Sequence, residues 1–446
     1  MTDPMSDHNP QFVGSGPIEP EHLLSEHEIH TVEVAFADLW GYLCGKRIPT
    51  AHFLASGGDL SFPVAPLTWS VTGDIADSPL ASAANGFPNV RFRRDLETLR
   101  PAPWREGVAI CLLDAYTAEG EPFPLHGRHA VRAAEARLLA LGYRALVAPE
   151  LEFYLCAEDW TPLFGGHRPF SLTKGGETEA ILTEIRHALE ALGMHVVSSQ
   201  TEYGPAQFEI NLGPTEPLRA ADNALLLKHV VKDTARRHGA RATFMPSPFA
   251  GASTSGFHLH QSLLTEDREP AWAQADPPSF KPYLAGLIER LPELTALLSP
   301  SINAYKRMLD GSFAGNRVSW GHDNRSVAVR TLDPAAANAR LELRTPSSDA
   351  NPYLVIAAAV QAGADGIERS LEPPAPVSGN AYAEKGLAAL PRSLAEAVEL
   401  LDASEFARDA LGPELIETLV GVQRLEIERF AAHITDWERD RYLECS

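Results

Sequence analysis

Four short stretches of the chain alternate apolar residues with residues that bind metals or anions, and this alternation restricts what they can form. Side chains at positions i and i+2 of a strand share a face, so each stretch presents apolar groups to one side and charge to the other. A half-buried strand ordinarily presents Thr, Ser or Lys on its polar side. We therefore predict four strands around a partly enclosed, charged site, at residues 150–154, 207–211, 258–262 and 340–344.

The carboxylates in and near these strands need positive charge. Glu202 and Glu209 are seven residues apart, which would place them on opposite faces of one straight strand, but a turn at Gly204 and Pro205 can return both to one cavity. Unpaired buried carboxylates are costly, and oxygen-rich ligand sets with one imidazole favour Mg²⁺ or Mn²⁺ over zinc. We therefore predict two or more divalent ions, with the candidate ligands Glu150, Glu152, Glu202, Glu209, His258 and Glu342.

Five arginines form a second group of candidate site residues. Planar guanidinium groups bind the oxygens of phosphate and carboxylate in a bidentate manner. Metal ions and arginines around one cavity are typical of phosphoryl transfer, so the residues themselves indicate an enzyme with an anionic substrate. These arginines are Arg307, Arg325, Arg330, Arg340 and Arg344.

Each of these residues also has a simpler interpretation. An isolated Glu-x-Glu pattern is more often a solvated strand face. His258 and His260 alone would be satisfied polar residues or a zinc pair, although no third His or Cys lies at suitable spacing. Arg340 and Arg344 could form a structural ion-pair ladder with Glu342. The functional interpretation rests on the occurrence of all these residues together.

Six motifs in a fixed order resemble the glutamine synthetase superfamily. They are a Glu-x-Glu strand, a Glu-x6-Glu turn, a Gly-x-His-x-His-x-Ser strand, an Asn-x-Tyr-Lys-Arg segment, an Asn-Arg-Ser segment and an Arg-x-Glu-x-Arg strand. The matching text reads APELEF, TEYGPAQFEI, SGFHLHQS, NAYKR, DNRS and ARLELRTPSSDANPY. One motif alone would be weak, but six in family order across roughly 200 residues are specific.

The resemblance implies a role for each candidate residue. One metal is implied for Glu152, Glu202 and Glu209, and another for Glu150, His258 and Glu342. The implied catalytic residues are Arg307, Arg325 and Arg330. The positions that match nucleotide contacts are His260, Ser262, Arg325, Arg330 and Arg340. The positions that match glutamate contacts are Arg307 and Arg344.

The reaction implied by the resemblance joins L-glutamate to an amine in two steps. The γ-carboxylate attacks the γ-phosphate of ATP, which gives γ-glutamyl phosphate and ADP, and an amine then displaces phosphate to form an amide. Because the nucleophiles belong to the substrates, the protein supplies positioning and electrostatic stabilisation. The resemblance also implies a dodecamer of two hexameric rings, with each site shared between neighbouring subunits.

The chain departs from ammonium-using members of the superfamily at two places. Those members carry Phe-Asp-Gly-Ser-Ser and Tyr-Glu-Ala-Pro, where this chain has Phe-Pro-Val-Ala-Pro at 62–66 and Gly-Ser-Phe-Ala-Gly at 311–315. Ammonium thereby loses two carboxylates that would desolvate and steer it, whereas an organic amine gains binding energy from its carbon skeleton. The pattern resembles the γ-glutamylpolyamine or γ-glutamylalkylamide synthetase branch. We expect Pro63→Asp with Ala314→Glu to restore the missing acids.

Two other functions stay open at this point. A displaced acid, Asp59 or Asp74, would make the chain a true glutamine synthetase with a moved ammonium site. A catalytically silent structural or regulatory relative is a third possibility, but a silent protein has no reason to keep six clustered metal-binding side chains. The sequence does not name the amine.

Composition and charge restrict the partners and the compartment. The net charge of -21 argues against a nucleic-acid-binding protein. No apolar run approaches the length of a membrane span, and the first residues lack the basic and apolar regions of a signal peptide. The four cysteines show no CxxC spacing and indicate reduced thiols. We predict a cytoplasmic enzyme with no membrane partner.

The predicted fold belongs to the α+β class and has two domains after a flexible tail at residues 1–24. Short strands broken by Gly and Pro between residues 32 and 113 predict a small mixed sheet. The resemblance implies a β-grasp domain over 25–122 and a catalytic domain over 123–446, with a curved antiparallel sheet and flanking helices. Helices are expected at 128–141, 177–192 and 220–238, after Pro352, and over most of 393–440.

Overall fold

Two β-sheets organise the protein in this computed structural model, which describes residues 19–445 except 57–58, 77, 167, 275 and 333–335. The strands of the first sheet are β1 (Thr31–Ala37), β2 (Leu43–Pro49), β3 (Leu60–Pro63), β4 (Asn89–Arg94), β5 (Arg100–Pro101) and β6 (Val108–Tyr116). Their order is β2-β1-β6-β4-β3, and β5 pairs with β6. Strands β1 and β6 run parallel, and the other pairs are antiparallel.

The second sheet carries the four strands that the alternating pattern predicts. Its strands are β7 (Tyr143–Cys156), β8 (Val196–Thr201), β9 (Gln207–Leu212), β10 (Arg241–Thr243), β11 (Phe257–Thr265), β12 (Trp320–His322), β13 (Val329–Leu332) and β14 (Arg340–Leu343). Their order is β12-β13-β14-β11-β7-β9-β8, with β10 paired to β7. All pairs are antiparallel except β12 with β13.

Two short helices accompany the first sheet, and the remaining helices pack against the second sheet or follow it along the chain. They are α1 (Pro20–Glu26), α2 (Thr50–Ala55), α3 (Gly127–Ala140), α4 (Leu172–Gly176), α5 (Glu179–Ala191), α6 (Pro217–Arg237), α7 (Phe280–Leu298), α8 (Pro352–Glu368), α9 (Leu394–Asp402), α10 (Glu405–Leu411), α11 (Pro413–Ala432) and α12 (Asp436–Tyr442). The expected helices are present. Asn351 caps α8, because its side chain accepts a hydrogen bond from the N–H of Tyr353 at 3.0 Å.

Two predictions about the elements need correction. Residues 20–26 of the expected tail region form α1, whose Leu24 is buried in the core, and residues 1–18 lie outside the described part of the chain. Helix α7 is not among the predicted helices, and it contains Pro292, a residue type that normally breaks a helix. Tertiary packing outweighs that local cost. A Cβ atom at Gly286 of α7 would lie 2.0 Å from the carbonyl oxygen of Ala362, so glycine permits the close approach of α7 to α8.

A buried arginine at the start of α3 connects the two sheet regions. The side chain of Arg128 is 2% exposed, and it donates hydrogen bonds to Asp114 at 2.7 Å, Asp95 at 2.7 Å and Asp222 at 3.0 Å. Asp95 and Asp114 belong to the first sheet region, whereas Asp222 lies on α6 and also accepts a hydrogen bond from Tyr353 at 2.7 Å. One buried guanidinium therefore joins three carboxylates, two of which also pair with Arg132.

We expect Arg128→Met to destabilise the protein by about 3–5 kcal/mol, because it leaves buried carboxylates without their cation. Urea unfolding at neutral pH measures the change. Arg132→Met is the comparison variant: Arg132 also pairs with Asp114 but is partly exposed and has no contact with Asp222, so we expect a smaller loss of stability than for Arg128→Met. Equal stability of the wild type and Arg128→Met would contradict the role of this network.

The same network makes the stability of the protein depend on pH. Burial by itself raises the pKa of Asp114, but Arg132 and Arg128 outweigh it and lower this pKa from 3.8 to about 2. A carboxyl group whose pKa is depressed on folding stabilises the protein above its unfolded pKa, and this contribution is lost as the pH falls through the folded pKa. We therefore expect the contribution of Asp114 to disappear between about pH 4 and pH 2.

Candidate active site

The predicted charged residues form one row across five adjacent strands. Register pairs Arg330 of β13 with Glu342 of β14, Glu342 with His260 of β11, His258 of β11 with Glu150 of β7, and Glu152 of β7 with Glu209 of β9. Directly paired residues share a face of an antiparallel sheet, and alternate residues of one strand share a face as well. The strands therefore collect these side chains on one side of the sheet, as the sequence predicts.

Glu150, His258 and Glu342 form the first group that could hold a metal ion. One potential ligand atom from each lies within 4.8 Å of the others. The Nδ1 atom of His258 is 2.6 Å from Oε1 of Glu150 and 3.8 Å from Oε1 of Glu342. His260 Nε2 is 3.3 Å from the other oxygen of Glu150. These three residues are the set that the resemblance implies for one metal.

The second group differs in one member from the predicted set. It brings together Glu152, Glu209 and His258, again within 4.8 Å, so that His258 belongs to both groups. Glu202 lies beside this group and shares a donor with it, because the side-chain amide of Gln200 is 2.8 Å from Glu209 and 3.4 Å from Glu202. The turn between Glu202 and Glu209 thus returns both carboxylates to the same region.

Positive charge only partly offsets the carboxylates on the β9 side of the site. Burial raises the pKa of Glu152 to about 8, with a further contribution from the charge of Glu202. Burial and the charges of Glu150, Glu202 and Glu152 raise the pKa of Glu209 well above its ordinary value. The pKa of Glu202 is also raised, mainly by burial. Three carboxylates that disfavour their own ionised forms are a suitable donor set for a divalent cation.

The opposite side of the site is neutralised by the protein itself. Burial would raise the pKa of Glu342, but Arg344, His260 and His258 outweigh it and lower this pKa to about 2. Burial likewise opposes ionisation of Glu150, and hydrogen bonds from His258 and His260 reverse the effect and hold its pKa well below the ordinary value. The site is therefore electrostatically asymmetric, with its greatest need for added positive charge at Glu152 and Glu209.

Three of the five predicted arginines border this row. Arg344 donates to Glu342 through Nη1 and to the carbonyl of Phe313 through Nη2 at 3.2 Å. Arg330 donates to Glu342 at 2.9 Å and also pairs with Asp323. Arg307 is buried and donates to backbone carbonyls. Arg344 and Glu342 therefore form the structural ion pair that the sequence allows. The second arginine that pairs with Glu342 is Arg330 rather than Arg340.

The other predicted nucleotide contacts lie farther along the same strands. The hydroxyl group of Ser262 donates to the carbonyl of Ala339 at 2.9 Å, which connects β11 to the start of β14. Arg340 donates to the carbonyl of Asn338 at 3.2 Å, and Arg325 is exposed in the segment between β12 and β13. Arg325 and Arg340 thus lie on segments that flank Arg330.

Several supporting residues were not predicted. The N–H of Gly256 donates to Oε2 of Glu152 at 2.7 Å, and the side-chain amide of Gln207 lies 3.4 Å from the same oxygen. A Cβ atom at Gly256 would lie 2.5 Å from Nη2 of Arg307, so only glycine fits here. The sequence does carry one signal, because Gln207 is two residues before Glu209 and Gln200 is two residues before Glu202, on the same strand faces.

The neutral segment at 311–315 requires one correction. We expected Ala314 to be the position at which a glutamate restores the missing acid. The side chain of Ala314 is 0% exposed, whereas that of Phe313 is 55% exposed. A glutamate at Ala314 would bury a carboxylate at a cost in free energy, whereas Phe313 is a neighbouring position at which an acid can be introduced without burial.

Both candidates for a displaced ammonium-binding acid already have cationic partners. Asp59 pairs with Arg91 and with Arg93, the latter at 3.5 Å. Asp74 pairs with Arg429 and accepts a hydrogen bond from the hydroxyl of Thr72 at 2.8 Å. Each of these carboxylates is therefore engaged in an ion pair with an arginine.

Residues 125–442 match the family described as glutamine synthetase, catalytic domain. The chain belongs to the glutamine synthetase family. The match contains both groups of candidate metal ligands and all five arginines. It also confirms the predicted enzyme class, an ATP-dependent carbon–nitrogen ligase.

Relatives of this family member include enzymes named for organic amines. The chain is 33% identical to the glutamate–isopropylamine ligase of a Pseudomonas species, over 95% of this chain and 96% of that protein. It is 34% identical to the gamma-glutamylethanolamide synthetase of Streptomyces coelicolor, over 99% and 98% of the two chains. A glutamine synthetase of Thermotoga maritima is 32% identical over 95% and 98%.

Solved structures of this family share the fold. An apo GmaS structure without ligand has a TM-score of 0.86 and 29% identity, and covers 96% of this chain and all of that chain. The predicted α+β fold with a curved antiparallel sheet and flanking helices is confirmed. Among the helices of the described residues, none is long and apolar enough to cross a membrane.

Proposed function

We propose that the protein is an ATP-dependent ligase that joins the γ-carboxylate of L-glutamate to an organic amine through γ-glutamyl phosphate. The observation that carries this proposal is the row of carboxylates and histidines on one sheet face, bordered by arginines and adjacent to a loop that supplies no available acid. The row suits phosphoryl transfer, and the neutral loop suits an acceptor other than ammonium.

We assign the metal ligands to two sets within this row. The donor set fits divalent ions, because burial and mutual repulsion raise the pKa values of Glu152 and Glu209, and the nearby charge of Arg307 offsets this effect at Glu152 only in part. Bound Mg²⁺ or Mn²⁺ would offset this charge and stabilise the phosphate oxygens of ATP. The proposed ligands are Glu152, Glu202 and Glu209 for one ion, and Glu150, His258 and Glu342 for the other.

The arginines hold the two anionic substrates. Arg344 offers a guanidinium that is anchored by Glu342, and we assign it to the carboxylates of glutamate. Arg307 donates to the carbonyls of Arg344 and Thr345 at 3.0 and 2.9 Å, so it fixes the backbone of Arg344 while contributing positive charge to the same pocket. The residues assigned to ATP are Arg325 and Arg330 at the phosphates, with His260, Ser262 and Arg340 on the nucleotide side.

The second step of the reaction determines which properties the acceptor amine must have. The nitrogen lone pair attacks the acyl carbon of γ-glutamyl phosphate, the bond from that carbon to the phosphate oxygen breaks, phosphate leaves, and the nitrogen loses a proton. This step requires an uncharged amine close to the acyl carbon. A small hydrated ammonium ion depends on protein carboxylates for desolvation, whereas an organic amine is positioned by contacts to its carbon skeleton.

The assembly, domain limits and compartment are part of the same proposal. We propose a double-ring dodecamer in the cytoplasm, with a β-grasp domain at 25–122, which α1 extends to Pro20, and a catalytic domain at 123–446. Family membership supports the assembly, and the strands of the first sheet, which end at Tyr116, support the boundary. The net charge of -21 supports the expectation of no nucleic-acid partner.

An ADP-release assay tests the ligase. The purified protein with ATP, Mg²⁺ and L-glutamate is expected to release ADP at a rate that rises at least tenfold when an organic amine is added. Omission of glutamate gives the background rate, and replacement of the amine by ammonium tests the second candidate, a glutamine synthetase, which the similarity to the Thermotoga maritima enzyme favours. No amine-dependent ADP release with any acceptor would contradict both.

A further inference from the structure

The loop at residues 309–315 is attached to the site at both ends. Immediately before it, Arg307 donates to the carbonyls of Arg344 and Thr345. Near its end, the carbonyl of Phe313 accepts a hydrogen bond from Nη2 of Arg344 at 3.2 Å. The other terminal nitrogen of Arg344 pairs with Glu342, a member of the first metal-binding group. The backbone of Phe313 is thus one side chain away from the charged row.

The exposed side chains of this loop include two large apolar groups. Leu309 is 62% exposed and Phe313 is 55% exposed. Phe313 also has a φ angle of 59°, in the left-handed region that bulky residues rarely adopt. Such a conformation costs of order 1–3 kcal/mol, persists only where the surroundings impose it, and clusters at functional sites. The chain therefore keeps an aromatic ring outside the core, at an energetic cost, on a residue whose carbonyl group binds an arginine of the site.

The acid of this loop is already engaged. Asp310 accepts a hydrogen bond from the side-chain amide of Asn316 at 2.9 Å and pairs with Arg317 at 3.0 Å. Within residues 309–315, all of which the structure describes, no other acid occurs. A polyamine carries a second ammonium group that requires an anionic partner, and this loop does not provide one. An alkyl or aryl group, by contrast, gains from contact with an exposed ring.

We propose that the ring of Phe313 determines acceptor specificity, by contacting the carbon skeleton of the amine, and that the preferred acceptor is a primary monoamine with an apolar alkyl or aryl group. This inference rests on the proposed ligase function and goes beyond it, because it selects apolar monoamines over ammonium and over polyamines. The ring does not take part in the chemical step, and Arg344 and the metal-binding row are the same for every acceptor.

The test compares kcat/KM for ammonium, methylamine, propylamine, pentylamine, benzylamine and putrescine. In the wild type, kcat/KM is expected to rise roughly fourfold for each methylene added between methylamine and pentylamine, as for a buried methylene group. Phe313→Ala is expected to lower the ratio of kcat/KM for pentylamine to that for methylamine at least tenfold. Phe313→Tyr keeps the ring and is expected to keep the ratio. Partial misfolding of a variant lowers kcat/KM for both amines by the same factor, so it leaves their ratio unchanged.

Two further variants separate the ring from the backbone. Phe313→Gly removes the ring and also relieves the strain of the left-handed conformation. If the ring is responsible, this variant lowers the ratio of kcat/KM for pentylamine to that for methylamine as much as Phe313→Ala does. Leu400→Ala on α9 removes an exposed apolar side chain of 43% exposure and is expected to leave the ratio unchanged.

The outcomes distinguish this inference from the function on which it rests. A ratio within twofold of the wild type in Phe313→Ala, or putrescine as the best wild-type acceptor, would overturn the assignment of Phe313 while the ligase stands. Glutamine as the main product at equal concentrations of pentylamine and ammonium would overturn the organic-amine ligase itself. In Phe313→Ala, kcat/KM could instead fall equally for every amine while the apparent KM for glutamate rises. That result would show that Phe313 only positions Arg344.

Discussion

Glu209→Gln is expected to lower turnover at least ~10²-fold while the protein stays folded. Glutamine keeps the size of the side chain and removes one negative charge from a buried group that already contains Glu150, Glu152 and Glu202. If that charge serves to bind a divalent cation, its loss weakens binding where the protein offers least compensation. A steady-state assay at saturating glutamate and ATP, with increasing Mg²⁺, measures the effect.

A melting experiment separates metal binding from structural damage. Without divalent ions, Glu209→Gln relieves repulsion among buried carboxylates and is expected to melt at or above the temperature of the wild type. With Mn²⁺, the wild type gains stability by binding and the variant gains less, so the order reverses. Glu158→Gln, an exposed acid just after β7, is the control and should follow the wild type. Wild-type turnover with an unchanged response to Mn²⁺ would disprove the assignment.

Ammonium is expected to be a poor acceptor. We expect kcat/KM for the best organic amine to exceed that for ammonium at least ~10²-fold near pH 8, which corresponds to about 2.7 kcal/mol of transition-state discrimination. The loop at 309–315 has a phenylalanine at an exposed position, and the resemblance places Pro63 where ammonium-using members carry the other acid. Mass spectrometry of the amides formed from equal concentrations of the two acceptors gives the ratio directly.

The reverse substitution provides the control for this selectivity. Pro63→Asp with Phe313→Glu places both acids at exposed positions and is expected to narrow the preference, because ammonium regains carboxylates that desolvate it. A wild type that forms mainly glutamine would contradict the organic-amine ligase and favour a glutamine synthetase whose ammonium site needs neither acid.

The sequence predicts the strands of the site well, because their alternation is strictly local. The segments at 150–154, 207–211 and 258–262 lie in β7, β9 and β11, and the side chains that share a strand face follow directly from the two-residue period. The grouping of Glu150 with His258 and Glu342 required the family motifs. Local pattern alone does not give the order of the strands, and the order decides which carboxylates meet.

What the sequence could not predict depends on contacts between distant segments. The carbonyl groups that hold Arg307 belong to a different strand end, and backbone partners leave no signature in side-chain chemistry. Arg128 looks like an ordinary helical residue, yet it is buried among acids from three separate segments. The choice of Ala314 as the position for an acid fails for the same reason, because the burial of one residue in a five-residue loop depends on the segments that pack around it.

The pairing of β7, β11 and β14 has a consequence for how the chain acquires activity. β7 leaves the ribosome long before β14, so the carboxylates at Glu150 and Glu152 exist for a time without Arg344. Sheets with such distant pairings form slowly. A slip of β11 by one residue against β7 would set Leu259 opposite Glu150 and turn His258 toward the core. Cation binding therefore reports that folding is complete, because the ligands meet only when these strands pair in the native register.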